Sequence, residues 1–298
     1  MDLTTRYMGL DLKSPLVSSA SPVNADLDNI RRLEDAGIGA IVLPSLFEEE
    51  IEAGTSRQRD QANSQITRSG LNYFPDTSPF HALPESYLNL ARRAAEAVEI
   101  PIFGSLNGTT DHGWVSYARE MEKAGAKGLE LNIYFIPTDL SMTGREVERR
   151  YVNILTAVRS AISIPLAMKL SPYFSAFGHT AQEFVGAGAN GLVLFNRFYQ
   201  PDIDIQNLRL INDLQLSGRN DTRLPLLWIA ALAGRTDASL AASTGVESAE
   251  QIIQYLLAGA DVVMTTSALL RHGVGYVESL QTGVRAWLAR GPHNSIPK

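Results

Sequence analysis

"AGAKGLELNIYFIPTD", residues 124–139, joins a helix ending to a strand that runs straight into a loop. Ala-Gly closes an amphipathic stretch, and an apolar run follows at once. The same form recurs as "AGIGAIVL" (36–43), "AGANGLVL" (187–194) and "AGADVVMT" (258–265). Glycine at a helix C-terminus takes the left-handed conformation without a Cβ penalty. Between these lie four segments of a second form: "SPLVSSA" (14–20), "IPIFGSL" (100–106), "IPLAMKL" (164–170) and "LPLLWIA" (224–230). In these, proline opens an apolar run, which is tolerated at the first residue of a strand. The two forms alternate strictly and predict eight short apolar strands.

Amphipathic helical stretches separate most of them, among them "ADLDNIRRLEDA", "PESYLNLARRAAEAV" and "SAEQIIQYLLAG". Continuously apolar strands alternating with helices indicate a parallel sheet buried on both faces. Eight such units predict an α/β fold, a TIM (β/α)8 barrel, as one domain over residues 1–298. An open doubly wound sheet, with its usual five or six strands, explains the eightfold count less well. A long segment, about residues 46–83, follows the second strand on the face where barrel active sites form. "GAGANG" (186–191) has the spacing of a dinucleotide fingerprint, but it closes a helix instead of opening one, so it reads as a helix terminator.

The 298 residues carry a net charge of −6, which disfavours a nucleic-acid partner. The chain has no cysteine, which excludes disulfides, cysteine-ligated clusters and a cysteine base. Its five histidines show no metal-ligand spacing, so no metal is expected. No signal-peptide pattern and no apolar run of 18 residues occurs, so the expectation is a soluble, cytoplasmic protein without membrane partners.

On a barrel the residues to weigh are those where strands run out. Amides, hydroxyls and one lysine converge there, and Asn132 and Lys169 stand out inside otherwise apolar runs. A lysine in a barrel strand is costly to bury alone. Three roles fit it: a structural ion pair with Glu130, a Schiff-base amine, or a fixed charge beside a flavin pyrimidine ring, where the reduced ring carries negative charge. Asn132 and Asn196 each fit a core hydrogen bond equally well.

"PLVSSASP", "FGSLNG", "LELNIY", "MKLSPYF" and "VLFNRF" follow one another in an order that resembles the dihydroorotate dehydrogenases, FMN-containing TIM barrels, over nearly the whole chain. The N-terminal membrane extension of the quinone-linked class is missing, so the chain is most similar to the soluble class. The resemblance implies an FMN-dependent oxidoreductase acting on a small-molecule CH–CH substrate, dihydroorotate in pyrimidine biosynthesis. It implies flavin contacts at Ala20, Ser21, Ser45, Asn107 and Asn132, with Lys169 at the pyrimidine edge. Gly218 falls near the ribityl-phosphate, and Gly234, Arg235, Thr266 and Ser267 hold the phosphate. "TTSALLRHG" reads as a strand end feeding a short helix whose free N–H groups favour an anion, and Arg235 can add a bidentate contact. Asn132, Asn196 and Thr67 face the substrate. Soluble members often form homodimers, and any iron–sulfur relay for electrons has to come from a partner protein.

The departures concern the substrate side. Where the family carries an N-L-S-C-P-N motif, whose cysteine or serine takes a proton, this chain reads "NIYFIPT". Phe135 stands in place of the base, an apolar ring expected to narrow the pocket, and Pro137 replaces a substrate-binding asparagine. Pro44 replaces a lysine, Thr67 an asparagine, and the glycine pair after the seventh strand is thinned to one. The catalytic base is therefore unassigned, with Tyr134, Thr138, Ser141 and Ser175 as substitutes. Two other functions fit the same residues: a non-redox barrel lyase or isomerase using Lys169, and a degenerate flavin-binding module.

Overall fold

The computed structural model describes residues 2–47, 84–107, 114–133, 135–197, 202–211 and 215–291. Eight parallel strands close into a barrel: β3 (Leu16–Ser18), β4 (Ala40–Phe47), β5 (Ile102–Asn107), β6 (Gly128–Asn132), β7 (Leu166–Leu170), β8 (Gly191–Leu194), β11 (Ser239–Ala242) and β12 (Val262–Thr265). β12 pairs with β3 to complete the ring. The fold is the expected TIM barrel. Around it pack α1 (Leu27–Asp35), α2 (Pro84–Ala97), α3 (Trp114–Lys123), α4 (Gly144–Arg159), α5 (Phe177–Gly186), α6 (Arg223–Leu232), α7 (Ala249–Leu257), α8 (Ser267–His272) and α9 (Tyr276–Arg290). Among the described residues no helix is long and apolar enough to cross a membrane, and no group of three or more His, Asp or Glu could hold a metal.

The repeated signals act as read, with one exception. Gly37, Gly125, Gly188 and Gly259 all sit at φ between +92° and +107°, each turning the chain from a helix into a strand. Pro15, Pro101 and Pro165 stand one residue before their strands and still give their carbonyls to a neighbouring strand's N–H: to Val263 (2.8 Å), Ile41 (3.1 Å) and Leu129 (2.9 Å). The fourth proline differs. "LPLLWIA" is not a strand but part of α6, and the seventh barrel strand is the four-residue β11 further on. Pro225 lies in the first turn of α6, where a missing N–H breaks no helical bond. A run that is apolar at every position cannot be assigned to strand or helix by periodicity alone.

Two smaller differences follow from the same ladder. β4 runs to Phe47, so the segment after it starts later than residue 46; residues 48–83, including Thr67, lie outside the described ones. Within β4, Pro44 has no N–H to donate, and the register against β5 shifts between Val42 and Ser45.

The core has two shells. The outer shell lies between strands and helices, with Ile41, Leu129, Leu131, Tyr151 and Phe184 in it. The inner shell fills the barrel with Val17, Val42, Phe103, Ala167, Val193, Ala241 and Met264. An N-terminal hairpin, β1 (Thr5–Tyr7) and β2 (Leu10–Leu12), joins this inner shell through Tyr7, Met8 and Leu12. It plugs the barrel at the end opposite the strands' C-termini. Tyr7 sets its ring edge-on to Phe103, with centroids 6.0 Å apart. A second hairpin, β9 (Asp202–Asp204) and β10 (Arg209–Ile211), follows β8 on the other face.

Candidate active site

An open cleft lies where the strands end. Its walls come from five strands: Ser19 and Ala20 after β3, Lys169 in β7, Phe195–Arg197 after β8, Ser243–Val246 after β11, and Met264–Ser267 at the end of β12, with Ser217 from the loop before α6. Lys169 and Arg197 are charged, and none of these lining residues is acidic.

One end of the cleft is a cluster of hydroxyls and backbone N–H groups. The Ser217 N–H donates to Ser267 Oγ (3.1 Å), the two hydroxyls lie 2.9 Å apart, and the Gly245 N–H donates to Ser217 Oγ (3.1 Å). Thr266 Oγ1 donates to the Ser19 carbonyl (3.2 Å), tying β12 to β3. Behind this cluster, Arg271 of α8 donates to the carbonyls of Ser217 (2.9 Å) and Leu216 (3.0 Å) and pairs with Glu247. The loop bearing Ser217 is thereby fixed against the ends of β11 and β12. Thr244 has φ +84°, an uncommon conformation for a residue with a side chain. Its Oγ1 bonds the Phe195 carbonyl (3.0 Å), and its own carbonyl accepts from the Tyr255 hydroxyl (2.9 Å). Gly245 has no room for a side chain, because a Cβ would fall 2.6 Å from Thr222 Cγ2 and 2.7 Å from the Gly218 carbonyl oxygen.

Lys169 lines the same cleft, 8% exposed. Its Nζ lies 3.5 Å from Glu130 Oε1 and 3.5 Å from Ser19 Oγ. Period-two alternation puts Glu130 and Asn132 of β6, and Ala167 and Lys169 of β7, on the inward face. Asn132 and Lys169 are register partners, and the Asn196 amide donates to Asn132 Oδ1 (2.5 Å). A cation and an amide pair thus sit side by side.

Of the residues expected from the sequence, Ala20, Lys169, Asn196, Thr266 and Ser267 line this cleft. Gly218 follows Ser217 directly, and Asn132 reaches the cleft through Asn196. Ser21 is buried beside Ala20, and its Oγ has no hydrogen-bond partner among the described residues. Ser45 shares a hydrogen bond with Ser105 (2.8 Å) on the adjoining strands, and Asn107 ends β5, buried.

Gly234 and Arg235 are corrected. They form the turn between α6 and β11, at the N-terminal end of that strand and so at the wrong end for a phosphate. The misassigned seventh strand put them there. Ser243, Thr244 and Gly245 occupy the real strand end. Ser217, Arg197 and these three escape the sequence reading, although "STG" after the apolar "SLAA" is a strand-end signal once α6 is recognised.

Among the described residues Phe135 does not line the cleft; its ring packs on α4, with the Arg150 guanidinium 4.2 Å above its centroid. Thr138, Ser141 and Ser175 are exposed, and the Ser141 hydroxyl donates to Asp139 Oδ1 (2.7 Å). That bond is the main cause holding the Asp139 carboxyl below its ordinary value. Tyr134 lies outside the described residues.

Comparison with known proteins agrees with this architecture. The dihydroorotate dehydrogenase family model matches residues 2–288. A protein of Aeropyrum pernix, provisionally named dihydroorotate dehydrogenase A (fumarate), is 29% identical, over 96% of this chain and 92% of its own length. The catalytic subunit of dihydroorotate dehydrogenase B (NAD(+)) from Listeria monocytogenes is 25% identical over 88% of this chain and 85% of its own. The NAD-dependent dihydropyrimidine dehydrogenase subunit PreA of Escherichia coli is 21% identical over 99% of this chain and 75% of its own. The chain belongs to the dihydroorotate dehydrogenase family, oxidoreductases acting on CH–CH groups.

Proposed function

We propose that this chain binds FMN in the cleft and transfers hydride to or from a CH–CH bond of a small cyclic substrate of the dihydropyrimidine type. The observation that carries the reading is that one cleft is lined by both Lys169 and the Ser217, Thr266 and Ser267 hydroxyls. That donor set fits the group: a cation suits the pyrimidine edge, and hydroxyls with backbone N–H groups suit a phosphate. Bound FMN supplies the hydride acceptor. Lys169 offsets negative charge at the ring edge, and Ser217, Gly245, Thr266 and Ser267 orient the phosphate. Ala20 and Ser21 wall the first strand, with Ser45 and Asn107 further round and Gly218 beside the ribityl chain. The Asn132–Asn196 amides offer a donor and an acceptor for a ring amide. With Lys169 and Arg197 in its walls, the cleft suits a neutral or anionic substrate.

Dihydroorotate itself is expected to be a poor substrate. Its dehydrogenation needs a proton taken from one carbon as hydride leaves the other, a contribution of about 10²–10⁴-fold. Phe135 cannot accept a proton, and the nearby Ser141 and Thr138 are exposed on the loop. The names of the relatives span dihydroorotate and dihydropyrimidine substrates, and fumarate and NAD(+) acceptors. Two of those names denote subunits, which favours an electron-transfer partner for this chain too. The lyase reading is weaker, because an ammonium paired with Glu130 is not the free amine that attacks a carbonyl.

Chromatography of the chromophore released on denaturation should show FMN; FAD, or no flavin after growth with riboflavin, overturns the reading. Anaerobic mixing with dihydroorotate should leave the flavin band nearly unbleached. Rapid bleaching at neutral pH would instead assign a relocated base, with Ser141 first to be tested. If dihydrouracil, dihydrothymine and dihydroorotate all fail to bleach the band, the chain is a flavin-binding module.

A further inference from the structure

Glu130 is unusual inside this barrel. It is 2% exposed, and apart from Lys169 at 3.5 Å neither carboxylate oxygen has a hydrogen-bond partner among the described residues. The Tyr7 hydroxyl is equally buried and equally without a partner. Burial, and then the negative charge of Glu130, push the Tyr7 phenol well above its ordinary value, which places that charge within reach of the plug. The register partners of Glu130 are Ala167 on β7 and Ser105 on β5, whose hydroxyl is bonded to Ser45 (2.8 Å), and Phe103 and Val193 complete the apolar filling around it. A buried ion pair is weak grounds for stability, since well-packed apolar residues often do as well. Glu130 therefore calls for a role beyond holding the barrel.

We propose that Glu130 is a positioning residue for the flavin site: it holds Lys169 Nζ in the wall of the cleft and, by offsetting its charge, sets the reduction potential of the bound flavin. The inference rests on the FMN reading above. As an ion pair, the two groups bring little net charge to the site. Glu130→Gln leaves the ammonium uncompensated, so the negative charge that reduction places near flavin N1 is favoured and the potential rises. Lys169→Met leaves the carboxylate and lowers the potential. The two substitutions act in opposite directions, which a purely structural pair does not require.

The test is equilibration of the flavin-loaded protein with a reference dye. Glu130→Gln should shift the reduced-to-oxidised ratio roughly tenfold toward reduced, about 30 mV for a two-electron couple. Lys169→Met should shift it the other way, and the double variant should return toward the parent. A lower melting temperature with an unmoved potential in Glu130→Gln overturns the inference and leaves a structural pair. If that variant fails to fold, Glu130→Asp, which withdraws the carboxylate from Nζ, should raise the potential by a smaller step, and no shift there overturns it equally. A chain that takes up no FMN overturns the cofactor reading and this inference together; a loaded chain with an unmoved potential overturns this inference alone.

Discussion

Tyr7 buries a hydroxyl with no partner among the described residues, in a barrel otherwise filled with aliphatic and aromatic carbon. A buried donor left unpaired costs about 1–3 kcal/mol. Tyr7→Phe should therefore keep the packing against Phe103 and leave the barrel as stable or up to about 1 kcal/mol more so, read by thermal or urea unfolding. Phe135 gives a second residue-scale prediction. Its ring lies under Arg150 and against α4, so Phe135→Ala should cost about 1 kcal/mol of stability and leave flavin retention unchanged. Looser flavin binding in that variant would return the ring to the pocket. Residues like Lys169 and Asn132 were legible in the sequence because a polar group inside an apolar strand needs a partner. Ser217 and Thr244 were not, because a loop serine and a strand-end threonine look like thousands of others until the fold brings them to one cleft.

α6 shows why element type was harder to read than element count. Its apolar face lies on the barrel through Ile229 and Leu232, yet Leu224 and Leu227 are exposed, so its sequence is apolar nearly all round and hides the helical period. The eightfold repeat survived the error because β11 replaces the misread strand, but the seventh strand end moved from Gly234–Arg235 to Ser243–Gly245. The loop before α6 is held by Arg271 of α8, through two carbonyls and Glu247. Charge-assisted hydrogen bonds are worth about 1.5–3 kcal/mol each at most, less where exposed. Arg271→Ala should release Ser217 and weaken FMN binding roughly tenfold, about 1.4 kcal/mol, measured by fluorescence titration of the flavin-free chain.

Elsewhere the elements are tied by carboxylates. Glu122 of α3 accepts from the Ser163 hydroxyl (2.5 Å), the Ser163 N–H (2.9 Å) and the Ile164 N–H (3.2 Å) at the entry to β7. The Ser163 hydroxyl is the main cause that lowers the Glu122 carboxyl. A carboxyl lowered in the folded state stabilises it fully above the unfolded value and loses that contribution as pH falls through the folded one. Glu122→Gln should thus cost under about 1 kcal/mol at neutral pH, the group being partly solvated, and the difference from the parent should shrink in acid. A difference that grows as pH falls would contradict the assignment.

At the scale of the whole molecule the barrel separates its two tasks by its two ends. The hairpin of β1 and β2 plugs one mouth with Tyr7, Met8 and Leu12, and it escaped the sequence reading because strands of three residues give too short a pattern to register. The other mouth carries the cleft. Between them Phe103, 1% exposed, fills the centre and meets the plug edge-on. Stability and chemistry should then respond to different substitutions. Phe103→Ala empties the middle of the barrel and should cost about 3–5 kcal/mol, seen as a large drop in the unfolding midpoint. Ser267→Ala removes one hydroxyl from the cluster with Ser217 and should cost under about 1.5 kcal/mol of stability while weakening FMN binding. The reduction potential should not move in Phe103→Ala, because no charge near Lys169 changes. The paired experiment is unfolding and flavin titration on both variants. If Phe103→Ala releases flavin while still folded, the plug and the cleft are mechanically linked through the barrel centre, and the division between the two ends fails.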